Sequence, residues 1–131
     1  MFNFMNIDEI EFEELCKQIL EKKLGKTFRV FGRGADGGID IQANDNENII
    51  GQAKFYMNTS QSDTVNKIKK EVNRIGYRNI EQYYLFIGRE MSPQNIQKIY
   101  DSLQENLKIK ENIYTIKEIN ELLNKEEYIA L

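Results

Sequence analysis

Between Ile39 and Tyr56 the chain carries two strand-like runs, Ile39 to Ala43 and Ile49 to Tyr56, separated by Asn44-Asp45-Asn46-Glu47-Asn48. The short polar side chains of that separator suit a hairpin loop. On either side the apolar period changes from strand to helix. Phe12, Leu15, Cys16, Ile19, Leu20 and Leu24 follow helical spacing, as do Val65, Ile68, Val72 and Ile75. A hairpin held between amphipathic helices needs a sheet with at least one helix-covered face, and a pure helical bundle is excluded.

The remaining elements extend that frame. Asn6 and Glu9 form a plausible capping pair for the first helix, and Gly25 supplies its stop. Thr27 to Phe31 has strand character, and Arg33 to Gly38 is expected to be a loop, since Gly34, Gly37 and Gly38 favour turn conformations. The second helix should start at Ser62 or Asp63 and end near Gly76. Tyr83 to Ile87 is a continuous apolar run, the pattern of a strand covered on both faces. Ser92-Pro93 opens a helix as N-cap and first helical position, with Ile96, Ile99, Tyr100, Leu103 and Leu107 on its apolar face. Ile113 to Ile116 and Lys117 to Leu123 read as a last strand and a last helix. The expected class is α/β, a mixed central sheet flanked by helices in the order α-β-β-β-α-β-α and then β-α.

At 131 residues, with no repeat, low-complexity run or linker, the chain is expected to form one domain over residues 1–131. Its apolar end, Tyr128 to Leu131, fits a domain cut from a longer protein. No run approaches the roughly 18 apolar residues of a membrane helix, and no basic segment precedes an apolar one at the start. The single cysteine, Cys16, lies on the apolar face of the first helix and permits no internal disulfide. A cytoplasmic location is expected. The complete absence of histidine excludes Ser-His and Cys-His hydrolase chemistry, so carboxylates and lysine must carry any catalysis.

Asp40, Gln52 and Lys54 supply such a set. If Ala43 pairs with Ile49 across the hairpin, Asp40 falls opposite Gln52 with Lys54 one diagonal step away, while Ile39, Ile41, Ala53 and Phe55 share the other face. A carboxylate, an amide and a lysine then converge. Hard Mg²⁺ prefers oxygen donors such as the Asp40 carboxylate and the Gln52 side-chain oxygen. Lys54 would orient the attacking water or stabilise charge on phosphoryl oxygens. On the first helix Glu13 falls on the border of the apolar stripe, whereas Glu14 points away, so Glu13 is the better candidate to reach the site.

Phe12-Glu13-Glu14-Leu15, Gly34-Ala35-Asp36-Gly37-Gly38-Ile39-Asp40 and Gln52-Ala53-Lys54 together resemble the Mrr-like branch of the PD-(D/E)xK restriction-endonuclease superfamily. The motifs cover residues 12 to 56, and the element order matches the superfamily core to about residue 88. The resemblance implies a restriction-endonuclease-like fold, Mg²⁺ (with Mn²⁺ as a substitute) held by Asp40, Gln52 and the backbone carbonyl of Ala53, a catalytic Lys54, and Glu13 as an outer acidic contributor. Gln52 stands where the superfamily more commonly has Asp or Glu, which implies weaker Mg²⁺ affinity. The expected substrate is double-stranded DNA, and its geometry, with two strands to cut, leads to a homo-oligomer as the expected active form. The tail from Ile116 is also similar to the junction after the nuclease domain in larger STAND-type antiviral proteins, where such domains act as effectors.

Charge supports a nucleic-acid partner only in the middle of the chain. Residues 1 to 21 carry one basic and six acidic side chains, residues 22 to 78 eleven and six, and residues 79 to 131 six and nine. Lys67, Lys70, Arg74 and Arg78 form one stripe of the second helix, and Arg29 and Arg33 would extend it across the DNA backbone. Each residue also has a plainer role. Asp36-Gly37-Gly38 fits a simple tight turn, Asp40 and Lys54 a cross-strand ion pair, Glu13 a surface charge, and the basic stripe a solvated helix face. The alternative function is a catalytically silent nucleic-acid-binding or protein-interaction module on a nuclease-like fold.

Overall fold

The computed structural model describes residues 6–31, 39–75 and 79–125. The elements run α1 (Glu9–Leu24), β1 (Phe28–Val30), β2 (Ile41–Ala43), β3 (Ile49–Lys54), α2 (Gln61–Asn73), β4 (Gln82–Ile87), α3 (Pro93–Ser102), β5 (Ile113–Tyr114) and α4 (Ile116–Leu123). The five strands form one sheet in sequence order. β1, β2 and β3 pair antiparallel, and β3, β4 and β5 pair parallel. This mixed sheet with flanking helices is the expected restriction-endonuclease-like α/β fold.

Two apolar layers fix the helices to opposite faces. On one, α1 places Phe12, Cys16, Ile19 and Leu20 against Ile41, Ala53, Phe86 and Tyr114, and Ile119 of α4 joins them. On the other, Val65, Ile68 and Val72 of α2 and Ile99 of α3 cover Ile50, Tyr83, Leu85 and Ile87. Strand alternation sends neighbouring residues of β3 and β4 to different layers. Both strands are therefore covered on both sides, as the apolar run of β4 predicted.

Helix ends follow capping chemistry, with shifts from the sequence expectations. The cap of α1 is Asp8, two residues after Asn6: its carboxylate accepts from the Glu11 N–H at 2.8 Å and Glu11 accepts in return from the Asp8 N–H at 3.1 Å. That choice puts Ile7 before the cap and Phe12 in the first turn, both packed into the same cluster, an arrangement Asn6 could not give. Gly25 ends α1 in the left-handed region at φ 65°, as expected. α2 is capped by Ser60, ahead of Ser62 and Asp63, and its expected end at Gly76 lies outside the described residues. Ser92 and Pro93 open α3 as read, but α3 stops at Ser102, and Leu107 reaches the core from a 3₁₀ turn, Glu105–Leu107. β5 is shorter than expected because Thr115 already caps α4.

Candidate active site

The hairpin register is the predicted one: Ile41 pairs with Gly51 and Gln42 with Ile50, the same alignment that sets Ala43 opposite Ile49. One side-chain expectation fails. Ile39 packs in the α2 and α3 layer, whereas Ile41 packs under α1. The cause is Asp40. β2 begins only at Ile41, and the Asp40 carboxylate takes the Ala53 N–H at 2.9 Å, in place of a backbone acceptor. The Asp40 N–H donates to the Gly51 carbonyl at 3.2 Å and its carbonyl accepts from Phe31 at 2.9 Å. Regular alternation therefore stops one residue early, and Asp40 lies against the end of β3.

That placement brings Asp40 and Lys54 together. Lys54 Nζ lies 3.0 Å from Asp40 Oδ2 and 3.5 Å from Glu71 Oε2 on α2, and Glu71 in turn receives Arg74 at 3.3 Å. The ion pairs run from an exposed guanidinium inward to a carboxylate and lysine with side chains only 19% and 13% exposed. Burial would lower the Lys54 pKa, but the carboxylates of Asp40 and Glu71 outweigh it and hold the ammonium above the ordinary lysine value. Asp40 is pushed up by burial, against the pull of Lys54 and the Ala53 N–H, with Glu71 adding to the rise. The site thus pairs a charged lysine with a carboxylate that gains from any further positive charge.

Gln52 is fully buried, and both ends of its amide have protein partners. Its Nε2 donates to the Glu71 carbonyl at 3.2 Å, and its Oε1 accepts from the Tyr83 hydroxyl at 2.5 Å. A carbonyl can only accept, so this contact fixes which end of the amide is nitrogen and aims the oxygen at Tyr83. The Tyr83 phenol is raised by burial and by Asp40, and stays a donor. Glu13 is half-buried on α1, one turn before Cys16. The Cys16 thiol is raised first by its burial and then by the charges of Glu13 and Asp40. Glu14 instead pairs with Lys17 at 3.1 Å along the helix surface, as its angle predicted.

Of the expected DNA-binding stripe, Lys67, Lys70 and Arg74 are exposed on α2. Lys67 also lies over the Tyr56 ring at 5.2 Å, and Arg74 is engaged by Glu71. Arg29 donates to Asn44 at 2.8 Å on the hairpin. Arg33, Arg78 and the Gly34 to Gly38 loop lie outside the described residues. Sequence reasoning missed Glu71 and the role of Tyr83. Glu71 was findable, because it stands three residues after Ile68 and four before Ile75, on the edge of the α2 stripe, as Glu13 stands on that of α1. Tyr83 offered no signal beyond an apolar run.

The Asp40 carboxylate is the kind of hard oxygen donor that a divalent cation takes. Among the described residues no three His, Cys, Asp or Glu side chains are grouped closely enough to hold a metal. The Asp40 contacts with the Ala53 N–H and with Lys54 Nζ both use Oδ2.

A mixed sheet with helices on both faces and an aspartate-lysine pair at the ends of β2 and β3 defines a restriction-endonuclease-like protein. The Mrr catalytic-domain family, described as restriction endonuclease, matches residues 4–94, and the chain belongs to that family. The match takes in Glu13, Asp40, Gln52 and Lys54, and ends as α3 begins. The uncharacterised protein y4cD of Sinorhizobium fredii (strain NBRC 101917 / NGR234) is 26% identical over 123 residues, 93% of this chain. The chain spans 19% of the length of that relative. No solved structure matches the chain. Among the described residues no helix is long and apolar enough to cross a membrane.

Proposed function

We propose that this domain is a metal-dependent endodeoxyribonuclease that hydrolyses phosphodiester bonds of double-stranded DNA. The observation that carries the reading is the largely buried Asp40 and Lys54 pair, 3.0 Å apart, inside the segment that matches a restriction-endonuclease family. Asp40 and the Ala53 carbonyl would hold Mg²⁺ or Mn²⁺, with Glu13 as an outer acidic neighbour, and the Gln52 side-chain oxygen would join them only through the lone pair that its bond to Tyr83 leaves over. When bound, the cation supplies Lewis-acid polarisation of the phosphoryl group and acidifies a water.

The chain's own groups then have distinct tasks. Lys54, kept charged by its carboxylate neighbours, stabilises the negative charge that develops on the phosphoryl oxygens. Asp40 carries a charge that the cation offsets, and its bond to the Ala53 N–H fixes its direction. Lys67, Lys70 and Arg74 hold the DNA backbone without reading sequence. One site cuts one strand, so duplex cleavage needs two copies, and a homo-oligomer is the expected active form. In a longer protein, as the 19% coverage of its relative suggests, the domain would serve as the nuclease effector of a defence protein, switched on by assembly in the cytoplasm.

Supercoiled plasmid with Mg²⁺ or Mn²⁺ tests this reading. Nicking should occur with the wild type and stop with EDTA, and Asp40→Ala and Lys54→Ala should each lose about 10²-fold or more in rate. Metal-independent cutting, or full activity of either variant, would refute the assignment. Absence of cleavage even after forced oligomerisation would favour a silent nucleic-acid-binding module.

A further inference from the structure

We infer that Glu71 is a positioning residue of the site, holding Lys54 from helix α2. Both polar residues of the Gln52-Ala53-Lys54 run end on this one residue. Gln52 ties down its main chain at 3.2 Å, and Lys54 meets its carboxylate at 3.5 Å. Tyr83 completes the clamp by fixing the Gln52 oxygen, so the amide cannot turn and release the Glu71 carbonyl. The turn of α2 that carries Glu71 is thus bonded to β3 twice, once through neutral atoms and once through charge.

The arrangement matters because Lys54 has two carboxylate partners with different duties. Asp40 faces the position where a cation would sit, and a cation there competes with the ammonium for the same oxygens. Glu71 stands on the other element and lies apart from the motif that resembles the family's. It remains to hold Lys54 when Asp40 is engaged elsewhere. Gln52 carries no charge where a carboxylate is more usual, and the negative charge that would restrain Lys54 comes instead from α2. Arg74 on the same carboxylate links this restraint to the exposed face that meets DNA. A displacement of a charged group by about 1 Å costs a reaction of this kind up to about 10²-fold.

The inference rests on the nuclease reading, and two measurements separate them. Glu71→Ala keeps the helix, since alanine is the best helix former, and keeps the main-chain carbonyl that Gln52 uses. In plasmid cleavage its kcat should fall about tenfold with KM for DNA within about twofold of wild type, and Glu71→Gln, which retains a neutral acceptor, should lie between. Acylation of the folded protein by an N-hydroxysuccinimide ester, mapped by mass spectrometry, should rise about threefold at Lys54 in Glu71→Ala and stay unchanged at the exposed Lys98. Wild-type labelling at Lys54 overturns the inference whatever the kinetics show, and so does a normal kcat with raised labelling. If the wild type does not cleave DNA at all, the nuclease reading falls, while raised labelling still establishes Glu71 as the anchor of Lys54.

Discussion

β3 and β4 are neighbours of equal length, paired in parallel from Ile49 and Gln82 to Lys54 and Ile87, yet they carry opposite chemistry. Both run between the two helix layers with almost every residue buried. β4 fills its places with Tyr83, Tyr84, Leu85, Phe86 and Ile87. β3 spends two equivalent places on Gln52 and Lys54, whose polar atoms are met by Tyr83, Glu71 and Asp40. Burial by itself does not mark a residue as core. A polar group in a covered strand persists only where partners from other elements are built around it. Gly88, after β4, shows the same crowding, because a Cβ there would come within 2.4 Å of the Phe55 ring next to Lys54.

The contrast can be broken from either strand. The largest effect on stability is expected from Leu85→Ala in β4, which removes a fully buried side chain from the α2 and α3 layer. It should cost about 3 kcal/mol in a urea titration. A loss below about 1 kcal/mol would show that this strand is not the apolar keel of the sheet.

A smaller effect is expected from Tyr83→Phe, which keeps the ring and removes only the donor to Gln52. Stability should fall by about 1–2 kcal/mol. If Gln52 and its strand are indifferent to that hydroxyl, the variant will unfold at the wild-type denaturant midpoint, and the proposed clamp on α2 loses one of its members.

The smallest effect concerns pH. The Cys16 thiol is held above its ordinary value of 9.0 by burial, with Glu13 and Asp40 adding to it. The folded state therefore retains a proton that the unfolded chain releases, and stability falls as pH rises through the ordinary thiol value. Between about pH 8 and 9 this amounts to about 0.4 kcal/mol, and Cys16→Ala should flatten that part of the profile. An identical slope in the variant would show that the folded thiol holds its proton no more tightly than the unfolded one.

Much of this arrangement was legible in the chain because it depends on local periodicity. Helical spacing marked α1, α2 and α3, the Asn44 to Asn48 separator fixed the hairpin, and alternation gave the register that carries Asp40 to the end of β3. Legibility failed where a side chain replaced a backbone partner. The Asp40 carboxylate takes the Ala53 N–H, ends β2 early and sends Ile39 to the opposite layer from Ile41. Caps drifted for a related reason: several polar residues near each start could serve, and packing of Ile7 and Phe12 selected Asp8.

The sequence by itself determined the element order, the absence of imidazole chemistry and of an internal disulfide, and the approach of a carboxylate and a lysine across the hairpin. These follow from residue identity and from periods set within a few positions of the chain. Only the tertiary structure decided that Glu71 stands beside Lys54, that Tyr83 orients Gln52, and that the charge of Asp40 bears on Cys16. Those contacts join residues 17 to 31 positions apart or bring an N-terminal helix onto the sheet. No local period encodes them, because they exist only once α1 and α2 have buried their apolar stripes on opposite faces of the sheet.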